Sequence, residues 1–133
     1  MDKVQALHSF WASFGIPAID EQSAYDEKTI EEMEITYPYI SYEVATDSFD
    51  APVSIGADIW DLATTWSRIT QKAEQIDAEI SRGGKIIPYD GGAVWITRGT
   101  PFSQRTAAAE TAEASGYDLR RIHININAEF ISA

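Results

Sequence analysis

The run Arg120-Arg121-Ile122-His123-Ile124-Asn125-Ile126-Asn127-Ala128-Glu129-Phe130-Ile131 constrains the fold more than any other part of the chain. Ile122, Ile124, Ile126, Ala128 and Phe130 share one parity; Arg121, His123, Asn125, Asn127 and Glu129 share the other. Successive side chains leave a pleated backbone on opposite sides, so this alternation predicts a strand with one dry face and one wet face. At roughly 3.3 Å per residue the run spans about 35–40 Å, longer than the usual strand. A strand so long and so rich in β-branched residues is an aggregation hazard at a sheet edge. It is therefore expected in the middle of a sheet whose dry face is covered by helices.

Two helices can supply that cover. Asp2 caps the first, with Gln5 completing a capping-box pair, and Val4, Leu7, Phe10, Trp11 and Phe14 form its apolar side before Gly15 and Pro17 stop it. In the second, Trp66, Ile69, Ala73, Ile76 and Ile80 recur at steps of three and four, a narrow stripe suited to lying on a sheet. Thr64 or Thr65 is its expected cap, and Gly83-Gly84 its end.

The remaining strands announce themselves less clearly. Residues 39–46 and 53–59 alternate, and the turn-forming stretch 47–52 between them predicts an antiparallel hairpin. Lys85 to Pro88 reads as a short extended piece, Asp90-Gly91-Gly92 as a turn and Ala93 to Thr97 as a strand. Arg98-Gly99-Thr100-Pro101 is expected to break that strand, which resumes at Phe102 to Arg105. Residues 18–37 read as an exposed irregular connector, and the alanine-rich 106–116 as a mobile loop or loosely helical tip. The sum is a single α+β domain over residues 1–133. It consists of a mostly antiparallel sheet of about four to five strands, with two main helices on one face.

Charge is divided unevenly. Residues 1–66 carry 2 Lys and Arg against 13 Asp and Glu, and the later half is balanced, so the whole net charge of −11 sits in the first half. That balance disfavours nonspecific binding to nucleic acid or to an anionic membrane. The acidic crowd at 20–34 lacks the spaced ligands and glycine of a calcium loop. There are no cysteines, and no apolar run is long enough to span a bilayer. With no signal peptide visible, a soluble protein of the cytoplasm is expected.

No catalytic motif is present: no phosphate-binding glycine loop, no nucleophile elbow and no paired-histidine metal motif. His8 lies in the first helix, and His123 is too far along its strand from Glu129 to share a ligand. No catalytic residue, metal or cofactor is assigned. An enzyme using Asp58, Asp61, Asp90 or His123 stands as the less favoured alternative, although Asp58 and Asp61 read as carboxylates near a helix start. Arg98, Arg105, Arg120 and Arg121, with Pro101, Phe102 and Gln104 among them, read instead as a protein-interface cluster, since arginine pairs carboxylates across interfaces.

Three sets of residues resemble the small tail-terminator, or tail-completion, proteins of long-tailed bacteriophages. The first is Tyr37-Pro38-Tyr39-Ile40-Ser41-Tyr42 followed by Ile59-Trp60-Asp61 and Thr65-Trp66. The second is Asp90-Gly91-Gly92 with Trp95-Ile96-x-Arg98-Gly99-Thr100-Pro101-Phe102-x-Gln104-Arg105, and the third Arg120-Arg121-Ile122-x-x-Asn125-Ile126-Asn127-x-Glu129-Phe130. They follow one another in the same order from residue 37 onward, whereas 20–34 and 107–114 match no part of the pattern. The resemblance implies an α+β domain that forms a hexameric ring on the head-proximal end of the tail tube. That ring would stop tube growth, contact the tail tube protein and the head-completion or neck protein, and let DNA pass without specific binding. The location implied is the virion tail or neck, assembled in the cytoplasm of the host bacterium, with no membrane contact and no cofactor. Another neck or head–tail connector of the same particle is the alternative.

Overall fold

A computed structural model of the chain describes residues 1–21, 36–46, 48–106, 111–112 and 117–132. Helix α1 (Lys3–Ala12) is followed by strands β1 (Ala18–Asp20), β2 (Tyr39–Glu43) and β3 (Val53–Ala63). Helix α2 (Ser67–Ile80) leads to β4 (Lys85–Tyr89), β5 (Gly92–Thr106), the two-residue β6 (Thr111–Ala112) and β7 (Tyr117–Ser132). The sheet runs in the order β1-β2-β3-β7-β5-β4, with β6 on β7. Neighbours are antiparallel except β1 and β2.

The alternating run is the middle of this sheet. Ile122, Ile124, Ile126 and Ala128 of β7 face Ile59, Ala57, Ile55 and Val53 of β3, and Ala128 and Phe130 face Ile96 and Val94 of β5. Every one of these but Phe130 is buried, so three strands contribute one continuous apolar layer. Each isoleucine so buried stabilises the fold by about 1.5–3 kcal/mol relative to exposure.

Both helices lie on that layer. The buried residues of α2 are Ile69, Ala73, Ile76 and Ile80, the stripe read from the sequence. In α1 the capping box of Asp2 and Gln5 forms, and Leu7, Phe10 and Trp11 are buried. Trp11 stacks on Tyr42 of β2 at 6.2 Å, and Phe10 meets Trp11 and Phe14 edge-on. Lys72 Nζ donates to the Phe14 carbonyl at 2.8 Å, joining the two helical segments.

Four expectations need correction. The sheet has six strands in sequence across it and the stub β6, more than four to five. The extra pieces, β1 and β6, are too short for any periodicity to show. The α2 N-cap is Trp66 with no side-chain cap bond, and Thr65 Oγ1 only accepts from the Ser67 amide at 3.4 Å. Asp58 and Asp61 lie within β3, on its opposite faces, not at a helix start. Finally, β5 is not broken at Gly99 and Pro101 but shifts register between Arg98 and Ser103. Glycine is needed there, because a Cβ on Gly99 would come within 2.7 Å of the Asn125 Cβ. Of the acidic connector, only its ends are described, and Ala18–Asp20 pairs with β2; residues 22–35 and most of the alanine-rich 106–116 lie outside the described residues.

Candidate functional site

Period 2 separates the four arginines. Arg120 and Arg121 are adjacent in β7 and so emerge on opposite faces of the sheet. On the helix-covered face, the guanidiniums of Arg105 and Arg120 both lie over the Trp66 ring, at 5.0 and 5.2 Å. Arg120 also donates to the carbonyls of Ala63 and Thr64 at 3.0 and 2.9 Å, closing the β3–α2 connection. Arg105 reaches Thr70 Oγ1 at 3.5 Å. On the same face Arg98 pairs with the Asp77 carboxylate and donates to its carbonyl at 2.9 Å. Nearby, Arg68 grips Asp61 with two nitrogens, a carboxylate that is 0% exposed. The hydrogen bond from Arg68 to Asp61 pushes the Arg68 pKa up.

Between α2 and β5 runs a groove of about 380 Å³, lined by Thr70, Ala73, Glu74, Asp77, Phe102, Ser103, Arg105 and Ile122. Phe102 therefore packs against the core as well as lining the groove. The β5 residues of its lining, Phe102, Ser103 and Arg105, lie at and just after the register shift.

The other face of the sheet holds a polar track. Cross-strand pairing sets Asp58 opposite His123, and the His123 Nδ1 lies 2.9 Å from Asp58 Oδ1. The other ring nitrogen is 3.0 Å from Asn125 Oδ1, while Asn125 Nδ2 donates to the Pro101 carbonyl at 3.0 Å. Arg121 stacks over the Trp60 ring at 5.2 Å with its Nε 3.8 Å from Asp58. Trp60 Nε1 donates to Ser41 Oγ at 2.9 Å and its ring stacks on Tyr39. Burial, and then the charge of Tyr37, push the Tyr39 pKa up to about 12. Gln104 sits opposite His123 in β5.

This arrangement ties β3 to β7. His123 has one ring nitrogen beside the Asp58 carboxylate and the other beside the Asn125 amide oxygen. Asp61 lies on the opposite face from Asp58, and Asp90 binds the N-terminal amine at 2.8 Å. His8 Nδ1 is 2.7 Å from the Tyr42 hydroxyl. Among the described residues, no three metal-ligating side chains gather, and no helix is long and apolar enough to cross a membrane.

Beyond the polar track this face is bare at the β4 side. Ile86, Trp95 and Ile131 are 63%, 37% and 50% exposed. They share the face by register, since Ile86 pairs with Trp95, and Ile131 with Ala93 two residues away. Sequence reasoning did not single out this patch. Its signal was available: Ile131 continues the wet parity of β7, where an apolar residue is out of place.

No family model matches the chain, and no curated protein matches it. One solved structure, of a protein whose name states no activity, aligns over 97% of this chain and 92% of its own with a TM-score of 0.51. At 17% identity, that likeness bears on the fold alone.

Proposed function

We propose that this chain is a tail-terminator protein of a long-tailed phage or prophage. It acts as a structural ring that caps the head-proximal end of the tail tube and joins the tail to the head. The observation that carries this reading is the asymmetry of the sheet: one face is closed by α1 and α2, and the other leaves Ile86, Trp95 and Ile131 bare. An exposed apolar patch is a mark of surfaces meant to meet protein. The residues that resemble the family also fall largely on β2, β3, β7 and β5, adjacent strands, where Asp61 meets Arg68 of α2, Arg98 meets Asp77 of α2, and Arg121 lies over Trp60.

The net charge of −11 suits a ring through which DNA slides, because acidic walls repel phosphate. Neither the fastened His123 nor the paired Asp61 asks for catalysis.

The test uses purified tail tubes and purified portal complex. The proposal expects the protein to bind tube ends, visible by negative-stain microscopy, and to halt elongation when added to polymerising tube protein. Binding to the portal complex with no effect on tubes would move the assignment to the head-side connector. Tight duplex binding in a gel-shift assay at about 0.1 M salt would contradict the sliding channel.

A further inference from the structure

The β5–β7 ladder is interrupted in one place. Arg98 pairs with Ile126 and Ser103 with Ile124, so residues 99–102 have no register partner in β7. Two asparagines of β7 reach across instead: Asn125 Nδ2 donates to the Pro101 carbonyl at 3.0 Å, and Asn127 Nδ2 to the Arg98 carbonyl at 3.3 Å. A carbonyl only accepts, so the Asn125 amide turns its nitrogen to Pro101 and its oxygen to His123 Nε2, 3.0 Å away. The other ring nitrogen is 2.9 Å from the Asp58 carboxylate. Both neighbours of the ring are therefore acceptors. A neutral imidazole has one N–H and satisfies one of them; the imidazolium has two and satisfies both.

The ring is seated on Gly56 of β3, where an added Cβ would come within 3.0 Å of His123 Cε1. From β3 it faces Asp58, and on β7 itself Arg121 lies 3.8 Å from that same carboxylate. Neutral Gln104 stands opposite on β5. On β2, Ser41 lies beside Asp58 and the exposed Glu43 beside Gly56. His8 differs: its Nδ1 is 2.7 Å from the Tyr42 hydroxyl, which can donate or accept and so asks for no charge.

We propose that His123 is a pH-sensitive clasp that, when charged, ties Asp58 of β3 through Asn125 to the unpaired stretch of β5. On losing a proton the ring keeps the N–H that faces the carboxylate, the stronger acceptor, and turns a lone pair on the Asn125 oxygen. Two acceptors so placed repel, so the amide swings away and frees the Pro101 carbonyl. The closed form binds the extra proton, so the clasp holds on the acid side of the histidine range and is lost as pH rises through it. The stretch released runs into Phe102, Ser103 and Arg105, which line the α2–β5 groove. The same proton thus sets how firmly that wall is held.

The test uses the full chain labelled with 15N. Imidazole spectra are followed from about pH 5 to about pH 8, with His8→Gln to tell the two histidines apart, alongside hydrogen exchange of residues 99–103 read by mass spectrometry. His123 is expected to be protonated on both nitrogens at the acid end. As it loses the Nε2 proton, exchange at 99–103, corrected for the intrinsic effect of pH, should quicken by about tenfold, the effect of one charge-assisted hydrogen bond, while β3 is unchanged. Asp58→Asn offers the ring a donor, so a neutral imidazole satisfies both neighbours and the pH dependence should vanish. His123→Gln cannot titrate and should abolish it too, which keeps the test open where Asp58→Asn does not fold. Exchange at 99–103 that ignores the state of the His123 ring overturns the proposal. So does a pH dependence that persists in folded His123→Gln, or a ring still neutral at the acid end.

Discussion

Ile124→Ala probes the centre of the sheet, where the structure makes its cost calculable. Ile124 is fully buried in the middle strand, between Ala57 of β3 and Ser103 of β5. The substitution removes three carbons, a transfer loss of about 2.4 kcal/mol at roughly 0.8 kcal/mol per methylene. The neighbours on both sides are small and held in strands, so they cannot move in to fill the space. The cavity term then raises the total to about 4 kcal/mol, inside the roughly 2–5 kcal/mol range for such truncations. Against a total stability of about 5–15 kcal/mol, the protein survives but is visibly weakened. Urea unfolding followed by far-ultraviolet circular dichroism and tryptophan fluorescence measures the loss. With a slope of about 2 kcal/mol per molar urea, the midpoint should fall by about 2 M with the slope unchanged. Ile86→Ala, on the bare face, should cost no more than about 0.5 kcal/mol. Equal shifts for the two variants would refute the placement of β7.

Three further outcomes follow from particular contacts. Arg68→Ala strands the buried Asp61 carboxylate and should cost about 2–3 kcal/mol, below the value for a wholly buried pair because Arg68 is half exposed; Arg68→Leu combined with Asp61→Leu should be more stable than Arg68→Leu alone in the same urea assay. Burial raises the tyrosine pKa values of both Tyr39, to about 12, and Tyr42, so folding favours their neutral forms. The stability this supplies is complete below pH 10 and is lost as pH rises from about 10 towards 12; absorbance titration of the wild type against Tyr39→Phe and Tyr42→Phe should assign a late-ionising phase to these two residues, and loss of no late phase in either variant would contradict it. Asn125→Asp looks mild from the sequence, but the Asn125 amide donates to the Pro101 carbonyl, and a carboxylate cannot. A loss of about 1–3 kcal/mol is expected in thermal unfolding, and Asn125→Asp melting with the wild type would show that this bond contributes nothing.

The sequence carried the sheet's centre, the α2 stripe and the α1 capping box, because each is a local periodic signal with a direct physical cause. It did not carry β1 or β6, whose three and two residues are paired only through tertiary contacts. The Asp58–His123 bond joins residues 65 apart, so it waits on knowing that β3 and β7 are neighbours and in which register. The separation of the arginines was legible in principle, since adjacent strand residues must part. The groove was not, because its walls come from α2, β5 and β7, which only the tertiary fold brings together.

The central claim is that closing one face of the sheet leaves surfaces that join copies into a ring. Native mass spectrometry of the purified protein, with light scattering at the same concentrations, tests it most directly. The account predicts one closed oligomer of fixed stoichiometry, present alone or once tail tube is supplied. A monomer under both conditions would contradict it.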